Sequence, residues 1–263
     1  VTSEYGQVIV RPVEGLTLAG GVRHDDFNLY GSQTTFGANF AFTPNTGGTI
    51  FRGTYAEGFR APTLTESTLP FGNPALKPET AKSFDLGLEQ HLMDGAVRAS
   101  ATYFQRKSDN QIAFSFLTFQ SENIAKVRSR GLELELEVRP TRTLKLMAGY
   151  SLVDATSRTA DATFGNRLAR RPKDSANATV EWTSPLGLEI AADLFLTGKS
   201  FDNLANTVRL APYQIVTLRA SYPVNERLEV FGRVENLFDE DYQTVAGYNN
   251  YGRNAYLGLR ARF

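Results

Sequence analysis

The side chains able to do acid–base, nucleophilic or metal chemistry are few and poorly placed for it. The chain has two histidines, His24 and His91, and no cysteine. His24 stands beside Asp25 and Asp26, so a Ser-His-Asp arrangement stays open on spacing alone. No Gly-x-Ser-x-Gly nucleophile elbow accompanies it. His91 precedes the Met93-Asp94-Gly95 turn, at the opposite end of the chain's repeating hairpins, and histidines so separated cannot share one metal. Asp239, Glu240 and Asp241 attract cations but lack the glycine-containing spacing of a helix-loop-helix calcium site. Without cysteine there is neither a thiolate metal site nor a disulfide. These residues read as solvated loop side chains; no catalytic residue, metal ligand or cofactor is expected.

The charged residues say more through their spacing. In Leu132-Glu133-Leu134-Glu135-Leu136-Glu137-Val138-Arg139 every second residue is aliphatic and every intervening one is charged. A strand sends those two sets to opposite faces, whereas a helix would scatter the charges. The same alternation runs through 16–23, 84–89, 144–150 and 188–194. Turns rich in Pro, Gly, Asp and Asn fall near 11–15, 43–48, 92–95, 139–143, 184–187 and 223–227. Between them lie connections, nearly all longer, near 28–32, 60–80, 107–123, 154–170, 199–212 and 238–254. Short and long connections alternate, which predicts about thirteen antiparallel strands of about ten residues.

These strands need an environment. The 263 residues carry 28 basic and 28 acidic side chains, a balance that excludes a basic nucleic-acid-binding face. No run approaches the roughly 20 apolar residues of a membrane-crossing helix, a test to which strand-built membrane proteins are blind. A basic side chain facing lipid at mid-depth costs about 2–4 kcal/mol, and an acid less. Three glutamates on the lipid side would therefore consume much of a domain's stability of about 5–15 kcal/mol. The leucines must face lipid and the charges a wet interior: Glu133, Glu135, Glu137, Arg219, Arg233, Glu235, Arg260 and Arg262 are expected to point inward. A soluble sheet over a core gives the same alternation, but almost nothing is left in this sequence to cover so many apolar faces. Trp182, Tyr222, Phe42 and Phe263 sit toward strand ends, as an interfacial girdle requires. The chain starts at Val1 without an initiating Met or a leader, which is expected to reflect processing or truncation.

Three segments resemble TonB-dependent receptors: Tyr55-Ala56-Glu57-Gly58-Phe59-Arg60-Ala61-Pro62-Thr63-Leu64-Thr65-Glu66, Gly72-Asn73-Pro74-Ala75-Leu76-Lys77-Pro78-Glu79-Thr80 with the strand 83–89 behind it, and Val234-Glu235-Asn236-Leu237-Phe238-Asp239-Glu240-Asp241-Tyr242. Their order and spacing cover nearly the whole chain. The resemblance implies an all-β, antiparallel transmembrane β-barrel in the bacterial outer membrane, of about 22 strands with a plugged lumen. Residues 1–263 would supply about thirteen of those strands, without the plug, and form an open partial barrel. Strands near 4–11 and 255–263 are then unpaired to each other. The implied function is uptake of a scarce nutrient, cobalamin or an iron-siderophore, energised by the TonB complex through an N-terminal motif that is missing here. The closing segment 242–263 looks most like cobalamin receptors. The implied partners are membrane lipid, the plug, the nutrient, TonB and the barrel-assembly machinery, and no nucleic acid. Leu257, Leu259, Ala261 and Phe263, alternating to the chain end, resemble the signal that machinery reads. Arg60, Phe71, Asn73, Tyr248, Asn249, Tyr251 and Arg253 are the candidate nutrient contacts, combining aromatic faces with hydrogen-bonding groups. A passive porin, and behind it a barrel enzyme, are the rival readings.

Overall fold

Alternation makes a strand, but its amides need neighbours on both edges to be satisfied. The computed structural model describes every residue except 69, 71, 116, 117 and 263, with 114, 115 and 124 as backbone alone. Among the described residues fifteen strands are formed: β1 (Thr2–Val13), β2 (Leu16–Phe27), β3 (Gly31–Asn45), β4 (Thr49–Arg60), β5 (Glu79–Leu92), β6 (Val97–Ser115), β7 (Gln120–Thr141), β8 (Leu144–Ser157), β9 (Asp174–Thr183), β10 (Glu189–Thr197), β11 (Ser200–Phe201), β12 (Arg209–Leu210), β13 (Tyr213–Pro223), β14 (Leu228–Glu235) and β15 (Asn254–Ala261). Thirteen of them form one sheet in chain order, while β11 and β12 pair by themselves. Registered pairings are antiparallel. The sheet order begins at β1 and ends at β15, and among the described residues no ladder joins the two. The only helices described are α1 (Leu64–Thr68) and the 3-10 turn Met93–Gly95.

Long connections alternate with tight turns as expected, with one correction. Most of the connection expected at 107–123 is strand, because β6 reaches Ser115 and β7 starts at Gln120. Apolar alternation fades there while the ladder persists, since a strand outside lipid needs no apolar face. The signal used to find strands is therefore absent where the backbone still pairs. The short β1–β2 turn depends on Gly15, whose φ of +76° and close approach to the Thr43 carbonyl leave no room for a side chain.

The chain divides into two units, the first comprising Val1–Glu89, Thr102–Gly131 and Asp154–Arg167. Within it Val22 lies opposite Phe36, Leu18 opposite Phe40, and Leu16 opposite Phe42, which in turn faces Phe51. The other face of the same strands pairs Arg23 with Thr35, Asp25 with Gln33 and Ala41 with Arg52. Asn123 on β7 ties down the long β4–β5 connection: its amide donates to the carbonyls of Lys77 and Asn110 and accepts from the Lys77 N–H.

The second unit comprises Gln90–Ala101, Leu132–Val153 and Leu168–Phe263. Its registers set Leu146 opposite Val180, Val180 opposite Ala192, and Leu194 opposite Ala178 and Val216. Among the described residues the buried hydrophobics are only Leu76, Val127, Ala155 and Leu210, whereas Val180, Trp182, Leu257 and Leu259 stand exposed. Burying one such side chain is worth about 1.5–3 kcal/mol, so these faces demand an apolar medium rather than water.

Candidate functional site

The polar face of the second unit can be followed strand by strand. Lys145 lies opposite Glu181, Thr179 opposite Asp193, Ala191 opposite Arg219, Arg219 opposite Arg233, and Glu229 opposite Arg260. Two arginines directly across from one another repel. Here each has its own carboxylate: Arg219 Nε donates to Asp193 at 2.8 Å, and Arg233 Nε meets Glu235 at 3.1 Å. Arg233 also lies 4.5 Å above the ring centre of Tyr256. Arg260 reaches both oxygens of Glu229 at 2.9 Å. On β7, Glu137 meets Arg139 at 2.7 Å and Lys145 at 3.9 Å, and Glu135 accepts from the Ser100 hydroxyl. Glu133 continues the row on β7 and is exposed, and Arg262 comes directly after the end of β15. Such exposed pairs contribute about 0.2–1 kcal/mol each; their chief effect is to keep a crowded face electrically balanced. Leu257, Leu259 and Ala261 lie on the opposite face, with Val230 across from Leu259 and Leu228 across from Ala261. Phe263 lies outside the described residues.

In the first unit, the segment after β4 is held by a charge network. The Arg60 guanidinium donates to both oxygens of Glu66, at 2.9 and 3.0 Å, and to Glu79 at 2.7 Å. Glu66 also accepts from the Thr63 N–H at 2.8 Å, while the Thr63 hydroxyl accepts from the Glu66 N–H at 3.2 Å. This reciprocal pair is a capping box at the start of α1. Glu79 accepts in addition from the Ile112 N–H of β6 at 2.8 Å. Asn73 forms a local turn, its side-chain oxygen accepting from the Ala75 N–H. Phe71 lies outside the described residues.

The hydrogen bonds from Arg60 hold the Glu66 carboxyl down at about 2, helped by Thr63 and opposed by burial. A depressed carboxylate stabilises the fold at every pH above its unfolded value of about 4.3. That contribution is lost as pH falls through the folded value. Resistance of residues 61–78 to an acid protease is therefore expected to hold from neutral pH to about 4 and to fall between about 4 and 2. Glu66→Gln should abolish that step; an unchanged acid profile in the variant would contradict the network's role.

The remaining candidates sit in the second unit, on the connection between β14 and β15. Asn236 is buried, with a φ of +50°. Its side chain accepts from the Glu240 N–H at 2.8 Å and donates to the Glu240 carbonyl at 2.9 Å. Asp239 accepts from the Arg253 N–H at 2.7 Å, closing the loop's base. Asn249 accepts from Gln243. Tyr248 and Tyr251 project freely, 72% and 87% exposed. Asp202, from the neighbouring connection, takes hydrogen bonds from Arg170 and from the Ala246 N–H.

His24 and Asp25 do not form a dyad. His24 Nδ1 lies 2.8 Å from the Thr34 hydroxyl, while Asp25, on the opposite strand face, is buried against Arg23 and Ser3. Sequence reasoning missed Glu66, Glu79, Asn123 and Asp202 as organisers of these loops. The Thr63-x-x-Glu66 spacing was a readable signal for one of them; the others act on residues too distant in sequence to leave any.

A family model described as TonB dependent receptor-like, beta-barrel matches residues 1–237. The vitamin B12 transporter BtuB of Photobacterium profundum is 31% identical over 255 residues, 93% of this chain and 40% of that protein. Among solved structures, a variant of the ferric enterobactin receptor PfeA from Pseudomonas aeruginosa superposes with a TM-score of 0.84 at 22% identity, covering 99% of this chain and 44% of the other. The siderophore receptor PiuA from Acinetobacter baumannii gives 0.81 at 21% identity, with 98% and 42% covered. These two structures bear on the fold alone. The chain spans less than half the length of the proteins it matches.

Proposed function

This chain belongs to the TonB-dependent receptor family, whose members are transporters of the bacterial outer membrane rather than enzymes, and from that premise we propose that it forms part of the wall and outer loops of a receptor for cobalamin. The supporting observation is the segregation of the second unit's faces, strand after strand, into a charge-balanced polar side and an aliphatic side. The aliphatic side faces lipid. The polar side faces the lumen, where Glu133, Glu135, Glu137, Arg219, Arg233, Glu235, Arg260 and Arg262 meet a plug carried elsewhere in the same receptor. That plug couples uptake to the TonB complex. Leu257, Leu259, Ala261 and Phe263 present the closing strand to the barrel-assembly machinery.

Cobalamin is preferred because the 31%-identical relative carries vitamin B12; an iron-siderophore is the second reading, from the named specificities of the structural neighbours. Tyr248 and Tyr251 offer free aromatic surface for a large polar ligand. Asn249 and Arg253 flank them, Arg60 and Asn73 shape the β4–β5 connection, and Phe71, from the same stretch of sequence, is a further candidate contact. In the full-length receptor, Tyr248→Ala combined with Tyr251→Ala is expected to weaken cyanocobalamin binding at least about tenfold, by roughly the stacking worth of one or two aromatic contacts. Equilibrium dialysis checks this. Binding of ferric enterobactin but not cyanocobalamin would move the assignment to siderophores, and uptake that persists without TonB would favour the porin.

A further inference from the structure

The aliphatic side of the second unit has one interruption near its loop end. Register places Tyr150 opposite Ala176, Ala176 opposite Leu196, and Leu196 opposite Gln214. These four residues share the face of Ala148, Ala178, Leu194 and Val216. Ala176, small between larger neighbours, forms the floor of a pocket of about 440 Å³ whose rim includes Asp174, Gly198, Pro212 and Glu240. That volume falls in the range of small-molecule sites. The rim is built: the Tyr150 hydroxyl donates to Asp174 at 2.7 Å, the Gly198 N–H donates to the Asp174 carbonyl at 2.8 Å, and Asn236 fixes the backbone of Glu240 from both sides. Tyr242 packs on Tyr213, a lining residue, with ring centres 4.4 Å apart.

We propose that this pocket seats one lipid of the outer leaflet, with an acyl chain over Ala176 and Leu196 and an uncharged, sugar-bearing headgroup against Tyr150, Asp174, Gln214 and Glu240. The inference rests on the lipid-facing assignment of the aliphatic side. Continuity with that face places the pocket against acyl chains, not against the polar face that would receive a nutrient. Its chemistry selects the headgroup. Two carboxylates and no lysine or arginine are among its lining residues, so a phosphate would meet like charge, whereas hydroxyl groups donate to these acceptors. Tyrosines at the rim suit the level where chains give way to headgroups.

The full-length receptor, reconstituted in vesicles of phosphatidylethanolamine and phosphatidylglycerol with a tenth part of a monoglucosyl diacylglycerol, tests the site. Lipid retained after detergent extraction is counted by native mass spectrometry. The receptor is expected to keep the glucolipid at least fivefold over its bulk proportion. Ala176→Phe, which fills the floor from the lipid side, should return retention to bulk proportion, and Tyr150→Phe should reduce it by about half. Retention at bulk proportion in the unaltered receptor would overturn the proposal, as would enrichment that survives Ala176→Phe. Displacement of the glucolipid by cyanocobalamin or ferric enterobactin would also overturn it, by making this a nutrient site. Failure of nutrient binding in the unaltered receptor strikes the proposed function instead, because lipid retention is read independently of it.

Discussion

Leu194→Arg is expected to lower the stability of the full-length receptor in phospholipid vesicles by about 2–4 kcal/mol, while Met147→Arg changes it by less than about 0.5 kcal/mol. Leu194 lies near the middle of β10, between Ala178 and Val216 on the aliphatic side. An arginine there meets hydrocarbon at mid-depth, where it has neither water nor a partner. Met147 lies opposite Thr179 on the other face, next to the row that holds Lys145 and Glu181. A cation there remains among carboxylates and water. Reversible urea unfolding of vesicle-inserted protein, read by tryptophan emission, gives both numbers. Equal losses would mean that the two faces do not differ in medium, and a larger loss for Met147→Arg would invert the assignment.

Arg60→Ala is expected to cost about 2 kcal/mol and to free the segment 61–78 from the rest of the first unit. The guanidinium makes three charge-assisted hydrogen bonds to Glu66 and Glu79, each class of contact worth about 1.5–3 kcal/mol when a partner is removed. Partial exposure of the two carboxylates, each 23% accessible, lets water recover part of that loss. Without Arg60 the carboxylates repel, and the capping box at Thr63 loses the cation that orients Glu66. Arg60→Lys should rescue less than half of the loss, because a single ammonium cannot match the planar fork that spans both acids. Urea midpoints and proteolysis within 61–78 test this together. A wild-type cleavage pattern in Arg60→Ala would show that the network holds nothing. The same variant separates two roles for Arg60: a fall in nutrient affinity that tracks loop cleavage marks it as a positioning residue, whereas a fall with the loop intact marks direct contact.

The sidedness of the strands is legible in the sequence, because side-chain direction follows from position within one strand. Leu132 to Arg139 announces a sided strand by itself, and so does Tyr256 to Ala261. Turn positions were equally local: a glycine with positive φ, such as Gly15, or an Asn-Pro pair marks a reversal wherever it occurs. The segments around Arg60, Asn73 and Asn236 pointed to the family through residue order alone. Sequence failed where apolar alternation stops carrying information. Beyond lipid, β6 and β7 keep pairing through backbone and polar contacts, such as Asn123 to Asn110, so their extensions looked like loop. Cross-strand partners were invisible for a different reason. That Arg219 faces Arg233 and is neutralised by Asp193 depends on the register of three strands, which no single strand encodes. The same holds for Arg60, which looked like a free ligand-binding cation until Glu79, nineteen residues away, was seen to take its third hydrogen bond. The hollow over Ala176 is likewise a property of four neighbouring strands: an alanine is unremarkable in sequence, and only the residues that pairing sets beside it turn its small size into space.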